Sequence, residues 1–200
     1  MSKGYSEIIN EKSKFIHEDT IYNKYFKDEK INDILSINIM DCVFENCVIA
    51  GKVSFSTFSN CLFNNCDMSN LEFDECGLHF VTIINSKLLG MDLSNSLIKN
   101  SLFINNNCNF LNIFNVKIMN VDFNDNNLFN FRMCDVLLNK IIFSNNNMSK
   151  SEIINTSFKN IDLSSNKIMG INISINDIKG CIISSLQVYD LINLLEVYIK

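Results

Sequence analysis

The chain has 200 residues, a formal net charge of -5 and 47% hydrophobic residues, which suits one domain with a real core. Proline and tryptophan are absent, and His17 and His79 are the only histidines, which argues against a histidine-built metal or catalytic centre. The mild acidity disfavours nonspecific binding to nucleic acid, which needs a basic stripe.

The first residues, MSKGYSEIIN, carry no apolar signal-peptide core. No later apolar run is long enough to cross a bilayer. Without an export signal, the eight cysteines are expected to be reduced thiols in the cytoplasm, and none forms a CxxC pair. Residues 1–15 lie outside the pattern that follows and make an N-terminal segment free to move.

From residue 16 an apolar residue returns at every fifth position, a period belonging to neither helix nor strand. Ile16, Ile21, Phe26 and Ile31 form one set, and Ile34, Ile39, Phe44 and Ile49 a second. From Val53 to Ile183 the step is unbroken for 27 positions. The slips at 31–34 and 49–53 predict irregular corners. The residue two before each apolar centre is usually small or apolar, as at Cys61, Cys66, Cys76, Val81 and Val121. The residue between them points outward, as alternation along an extended segment requires.

A second period, of twenty, runs through the same residues. Leu71, Met91, Leu111, Phe131, Ser151 and Ile171 form one column two residues before the centre. Cys66, Ser86, Asn106, Asn126, Asn146 and Asn166 form another, and Cys61, Val81, Ser101, Val121, Ile141, Ile161 and Cys181 a third. Four faces of five residues per turn explain both periods. Cys42, Cys47, Cys61, Cys66, Cys76 and Cys181 then fill an inward slot as compact hydrophobes. The inward asparagines are expected to pair their amides from turn to turn.

After Ile183 the five-residue step ends. In SSLQVYDLINLLEVYIK, Ser184 or Ser185 is the N-cap of a short helix, and Leu191, Leu194 and Leu195 make an apolar stripe. A solenoid end needs a cap, and this tail serves as a cap alone or as a cap that also dimerises. The chain divides into 1–15, a coil at 16–183 and a tail at 184–200.

The unit A-(D/N)-(L/F)-X-X resembles the pentapeptide-repeat family, whose fold is all-β, a right-handed quadrilateral β-helix. Residues 66–95, with Cys66-Asp67 and Gly90-Met91-Asp92-Leu93, resemble the Qnr quinolone-resistance branch. So does the tail, through Asp177, Gly180, Gln187, Leu191 and Leu195, and IYNKYFKDEKI looks like that branch's opening coil. The resemblance implies a cytoplasmic homodimer, joined tail to tail through Leu186, Leu191, Leu194, Leu195 and Tyr198. It also implies a DNA-mimicking rod that binds DNA gyrase and topoisomerase IV and protects them from fluoroquinolones. Glu72, Asp92, Asp122 and Asp162, outward before their centres, would stand in for phosphates. The branch commonly carries two loops, and the unbroken step from Val53 to Ile183 leaves no room for the larger one.

No nucleophile–base pair, metal cluster or phosphate loop occurs, so no catalytic, cofactor or metal residue is assigned and the chain is expected not to be an enzyme. His79, just after Leu78, is expected at the surface. The alternative is an interaction solenoid with a different protein partner and no topoisomerase activity. A continuous acidic stripe on one or two walls favours mimicry; scattered mixed charge favours the alternative.

Overall fold

Three extended residues make a wall, and a residue with positive φ turns the corner after it. Asn60, Asn65, Asn70 and Glu75 do this in one turn, with φ of 52°, 55°, 56° and 54°. The same conformation recurs at nearly every fifth residue as far as Asn160. Asn and Asp are the non-glycine residues that tolerate this region best, and this accounts for part of the asparagine richness. The corner asparagines also bond from turn to turn, as in Asn65 Nδ2 to Asn46 Oδ1 at 2.6 Å, Asn105 to Asn85 at 2.7 Å and Asn120 to Asn100 at 2.8 Å.

The computed structural model describes residues 12–195, apart from the side chains of Asn193 and Leu195. It is a parallel β-solenoid of about eight turns with a short helical tail. The centres of the first wall include Phe58, Leu78, Ile98 and Ile118; of the second, Phe63, Ile83, Phe103 and Phe123; of the third, Met68, Leu88, Cys108 and Leu128; of the fourth, Phe73, Leu93, Ile113 and Met133. All of these are buried. Each wall pairs with the same wall of the next turn, as in Phe58↔Leu78↔Ile98↔Ile118. Lys117–Asn124 and Leu137–Ser144 run as continuous strands around the first corner, joining the first and second walls into one twelve-stranded sheet.

The two sequence slips are short turns. Ile21 pairs with Ile39, 18 residues on; Ile39 pairs with Phe58, 19 on; from there the step is 20. The missing residues are lost between the third and fourth walls, where register shifts between Asn32 and Ile34. Asp33 closes this corner by accepting from Lys52 N at 2.8 Å. Gly51 lies one turn on from it with φ +88°, and a Cβ there would collide with Asp33 Oδ1.

The interior is filled by columns. Phe26, Phe44 and Phe63 stack at 5.0 and 4.6 Å, and Phe103, Phe123 and Phe143 at 4.7 and 5.2 Å. The asparagine column forms as expected. Asn106, Asn126 and Asn146 each donate to the Oδ1 of the next, at 3.0, 3.1 and 3.0 Å, the last acceptor being Asn166. That same oxygen also takes the backbone N–H of the residue below, at 2.9 Å in each case. Each Nδ2 gives its second proton to a backbone carbonyl of the turn below: Ile83, Phe103, Phe123 and Phe143.

Two expectations need correction. Ile16 is 63% exposed, and its neighbour Phe15 packs on Phe26 instead, with ring centroids 5.4 Å apart. One residue of slip before the first full turn moves the apolar contact from Ile16 to Phe15. Near the other end, the step through Ile178 reads as another wall, but Ile175–Ile178 is a helical turn. Ser174 caps it by accepting from Asp177 N at 3.1 Å. The turn still stacks, for Phe158 N and Asn160 N donate to Asp177 O and Gly180 O.

Candidate functional site: the outer walls and the tail

The closed interior leaves the outward residues on either side of each centre as the surface available to a partner. Among the described residues no group of His, Cys, Asp and Glu is arranged to hold a metal ion. Six of the eight cysteines are buried. Burial pushes the Cys42 thiol up to about 11 and raises Cys61 and Cys108 further, so these are poor nucleophiles.

The four predicted acidic residues fall on two opposite walls. Glu72 and Asp92 are stacked on the fourth wall, in the column Lys52, Glu72, Asp92, Asn112, Arg132, Glu152 and Asn172. That column is of mixed sign. Lys52 Nζ lies 3.3 Å from Asp74, and Arg132 Nε lies 2.9 Å from Glu152. Asp92 is engaged locally, accepting from Ser94 N at 2.8 Å, from the Ser94 hydroxyl and from Asn112 Nδ2 at 2.8 Å.

Asp122 and Asp162 stand on the second wall among apolar neighbours. Asp122 is flanked by Leu102 and Ile142, and Asp162 pairs with Ile182. Hydrogen bonds from Ser164 hold the Asp162 carboxyl below its usual range. The structure therefore stacks Glu72 on Asp92 but sets Asp122 and Asp162 two turns apart, with Ile142 on the turn between, and no wall carries a continuous acidic surface among the described residues. His79 is half-buried on the first wall beside Gly77.

The first wall carries what the periodic reading missed. Lys99, Lys117, Lys140, Lys159 and Lys179 lie on it or at its edge. They sit one residue before, one after or two after a centre, so no fixed spacing exposes them in the sequence.

The tail is helical from Ser185 to Leu195, in three short segments. Leu191 and Leu194 are partly buried and packed on the core, while Leu186, Val188 and Tyr189 are 79%, 48% and 70% exposed. The backbone of Leu195 closes the described helix, and Tyr198 lies outside the described residues. Gln187 is buried, donating to Leu163 O at 2.8 Å and Asn166 O at 2.7 Å and accepting from Ser184 N at 2.8 Å. No helix among the described residues is long and apolar enough to cross a membrane.

The family described as Pentapeptide repeat region matches residues 56–133. No curated protein sequence matches the chain. Among solved structures, a trypsin-treated form of QnrB1, a plasmid-mediated fluoroquinolone resistance protein, is 15% identical with a TM-score of 0.41, covering 88% of this chain and 97% of its own. HetL from Nostoc sp. strain PCC 7120, a protein involved in heterocyst differentiation regulation, is 9% identical with a TM-score of 0.35, covering 87% and 92%. Rfr23 from Cyanothece 51142 is 10% identical with a TM-score of 0.23, covering 83% and 92%. Scores this low carry no argument. Residues 56–133 carry a pentapeptide-repeat region, and the same five-residue walls continue on both sides of it.

Proposed function

We propose that this chain is a non-enzymatic binding protein that holds a partner against its outer walls, and that the partner is a type II topoisomerase, DNA gyrase or topoisomerase IV. The observation that carries the binding reading is the filled interior, where side chains stack from turn to turn and leave the work to exposed residues. Support for the partner comes from the Qnr-like residues 66–95 and from the tail with Asp177, Gly180 and Gln187. In this reading the chain works in the cytoplasm and shields the enzyme from fluoroquinolones. A homodimer through the outward Leu186, Val188 and Tyr189 doubles a rod of roughly 40 Å per subunit, at about 4.8 Å per turn.

A second reading, a protein partner other than a topoisomerase, is favoured by the division of Glu72 and Asp92 from Asp122 and Asp162 on opposite walls. A gyrase supercoiling assay with ciprofloxacin separates the two. Restored supercoiling as the chain is added supports the first; neither protection nor inhibition over a wide concentration range leaves the second.

A further inference from the structure

On the other three walls the cations are mixed, Lys30, Lys150 and Lys167 having no carboxylate within salt-bridge distance among the described residues and others having one, whereas on the first wall the lysines from Lys99 onward are all unpaired. Elsewhere many cations meet a carboxylate one turn away: Lys27 with Glu45 at 2.7 Å, Lys52 with Asp74 at 3.3 Å, Lys87 with Asp67 at 3.7 Å and Arg132 with Glu152 at 2.9 Å. On the first wall, Lys99 follows centre Ile98, Lys117 precedes Ile118, Lys140 turns the corner after Leu138, Lys159 follows Phe158 and Lys179 follows Ile178. Five successive turns each carry one lysine, spread over about 20 Å at the rise of a parallel sheet. None of these ammonium groups lies within salt-bridge distance of a carboxylate among the described residues. The acidic residue on this stretch, Asp177, is occupied by Ser174 Oγ at 2.8 Å.

Like charges one turn apart repel and stabilise nothing in the isolated chain, whose net charge is -5. We propose that the first wall is a docking face for an acidic protein surface in which carboxylates alternate with apolar side chains. Charge complementarity fixes the sign of the occupant. The apolar part is set by Leu97, Met119 and Leu137 between the lysines, Leu137 being 68% exposed, and by Phe80 at the corner, 56% exposed. A nucleic-acid backbone fits less well. The wall has no arginine, and Glu75 and Asp135 edge it on the fourth-wall side. This face is distinct from the acidic residues in the topoisomerase reading and stands or falls without them.

The test measures fluorescence anisotropy of a labelled peptide of alternating Glu and Leu, and of a labelled duplex DNA, against three forms of the full chain. These are the wild type, the variant Lys117→Glu/Lys159→Glu, and the control Lys150→Glu/Lys167→Glu at the third wall and its corner. All reversed residues are exposed, and thermal melting verifies that each form is folded. The expected result is saturable, salt-sensitive peptide binding to wild type and control, weakened about tenfold or more in the first-wall variant. No saturable binding to wild type, an equal loss in both variants, or tighter binding of the duplex at the same ionic strength overturns the proposal.

Discussion

Gln187 occupies the place that a further asparagine would take above Asn166. Along the column each asparagine amide donates to a carbonyl 23 residues earlier, ending with Asn166 to Phe143. Gln187 makes the equivalent bond to Leu163, the next second-wall centre, and adds one to Asn166 O. It does so from a helical tail, one residue out of step, and its longer side chain makes up the difference. The tail thus ends the ladder with its polar groups satisfied.

Replacing this rung by Gln187→Leu removes the side-chain donor from the Asn166 carbonyl and leaves the Leu163 carbonyl with the Asn166 backbone N–H alone. A loss of about 1–2 kcal/mol is expected, read as a lower urea midpoint with an unchanged slope.

Asn126→Leu, within the ladder, is expected to cost more, about 1–3 kcal/mol for each buried group left unpaired. Asn106 N–H loses its acceptor, the Phe103 carbonyl loses its side-chain donor, and Asn106 Nδ2 keeps only its bond to Ile83 O. A urea series in which Asn126→Leu is no less stable than Gln187→Leu would contradict the inward column as a source of stability.

Gly51→Ala is expected to destabilise by about 1–3 kcal/mol, since alanine must adopt φ +88° with its methyl against the Asp33 carboxylate. Adding Asp33→Ala removes the clash and keeps the backbone strain. The double variant should therefore recover part of the loss, and thermal melting of the two singles and the double measures that coupling.

Glu45 accepts from Lys27 Nζ at 2.7 Å and from Tyr25 Oη at 2.9 Å. The bond from Lys27, then that from Tyr25, holds its carboxyl below its ordinary 4.5, while Lys27 is raised above its ordinary 10.5 chiefly by its bond to Glu45. A depressed carboxyl stabilises the fold above the unfolded value, and that contribution is lost as pH falls through the folded one. The contribution of Lys27 is full below 10.5 and lost as pH rises through its folded value. Melting curves of wild type and Glu45→Gln should differ near neutrality and converge as pH drops below 4.5. The difference will be small, because both side chains are partly in water.

The fold was legible because a five-residue wall puts each apolar centre in one sequence register, and the column Asn106, Asn126, Asn146 and Asn166 fixed four walls to a turn. The short corners at 31–34 and 49–53 were visible as breaks in that register. Ile16 misled because periodicity records spacing and not where the first turn begins. Ile175–Ile178 misled because a helical turn capped by Ser174 keeps Ile178 facing the core, as a strand would. The surface was far less legible. Asp92 and Asp122 look alike in the repeat yet stand on opposite walls, and the five lysines share a wall without sharing a spacing.

This division of walls bears on partner binding. A partner docked on one wall touches Glu72 and Asp92, or Asp122 and Asp162, but not both pairs. Glu72→Lys/Asp92→Lys and Asp122→Lys/Asp162→Lys should therefore weaken gyrase binding unequally, by about tenfold or more in one variant and little in the other. Equal losses, measured by titration, would point to a partner that encircles the rod.

Binding itself is tested most directly by titrating the full-length chain, immobilised on a surface, with purified gyrase holoenzyme. The expected result is saturable binding that persists in the presence of an unlabelled Glu72→Lys/Asp92→Lys or Asp122→Lys/Asp162→Lys competitor, whichever is the weakened form, and that the unlabelled wild type abolishes. No saturable binding of gyrase, with the immobilised chain shown to be folded, would contradict it.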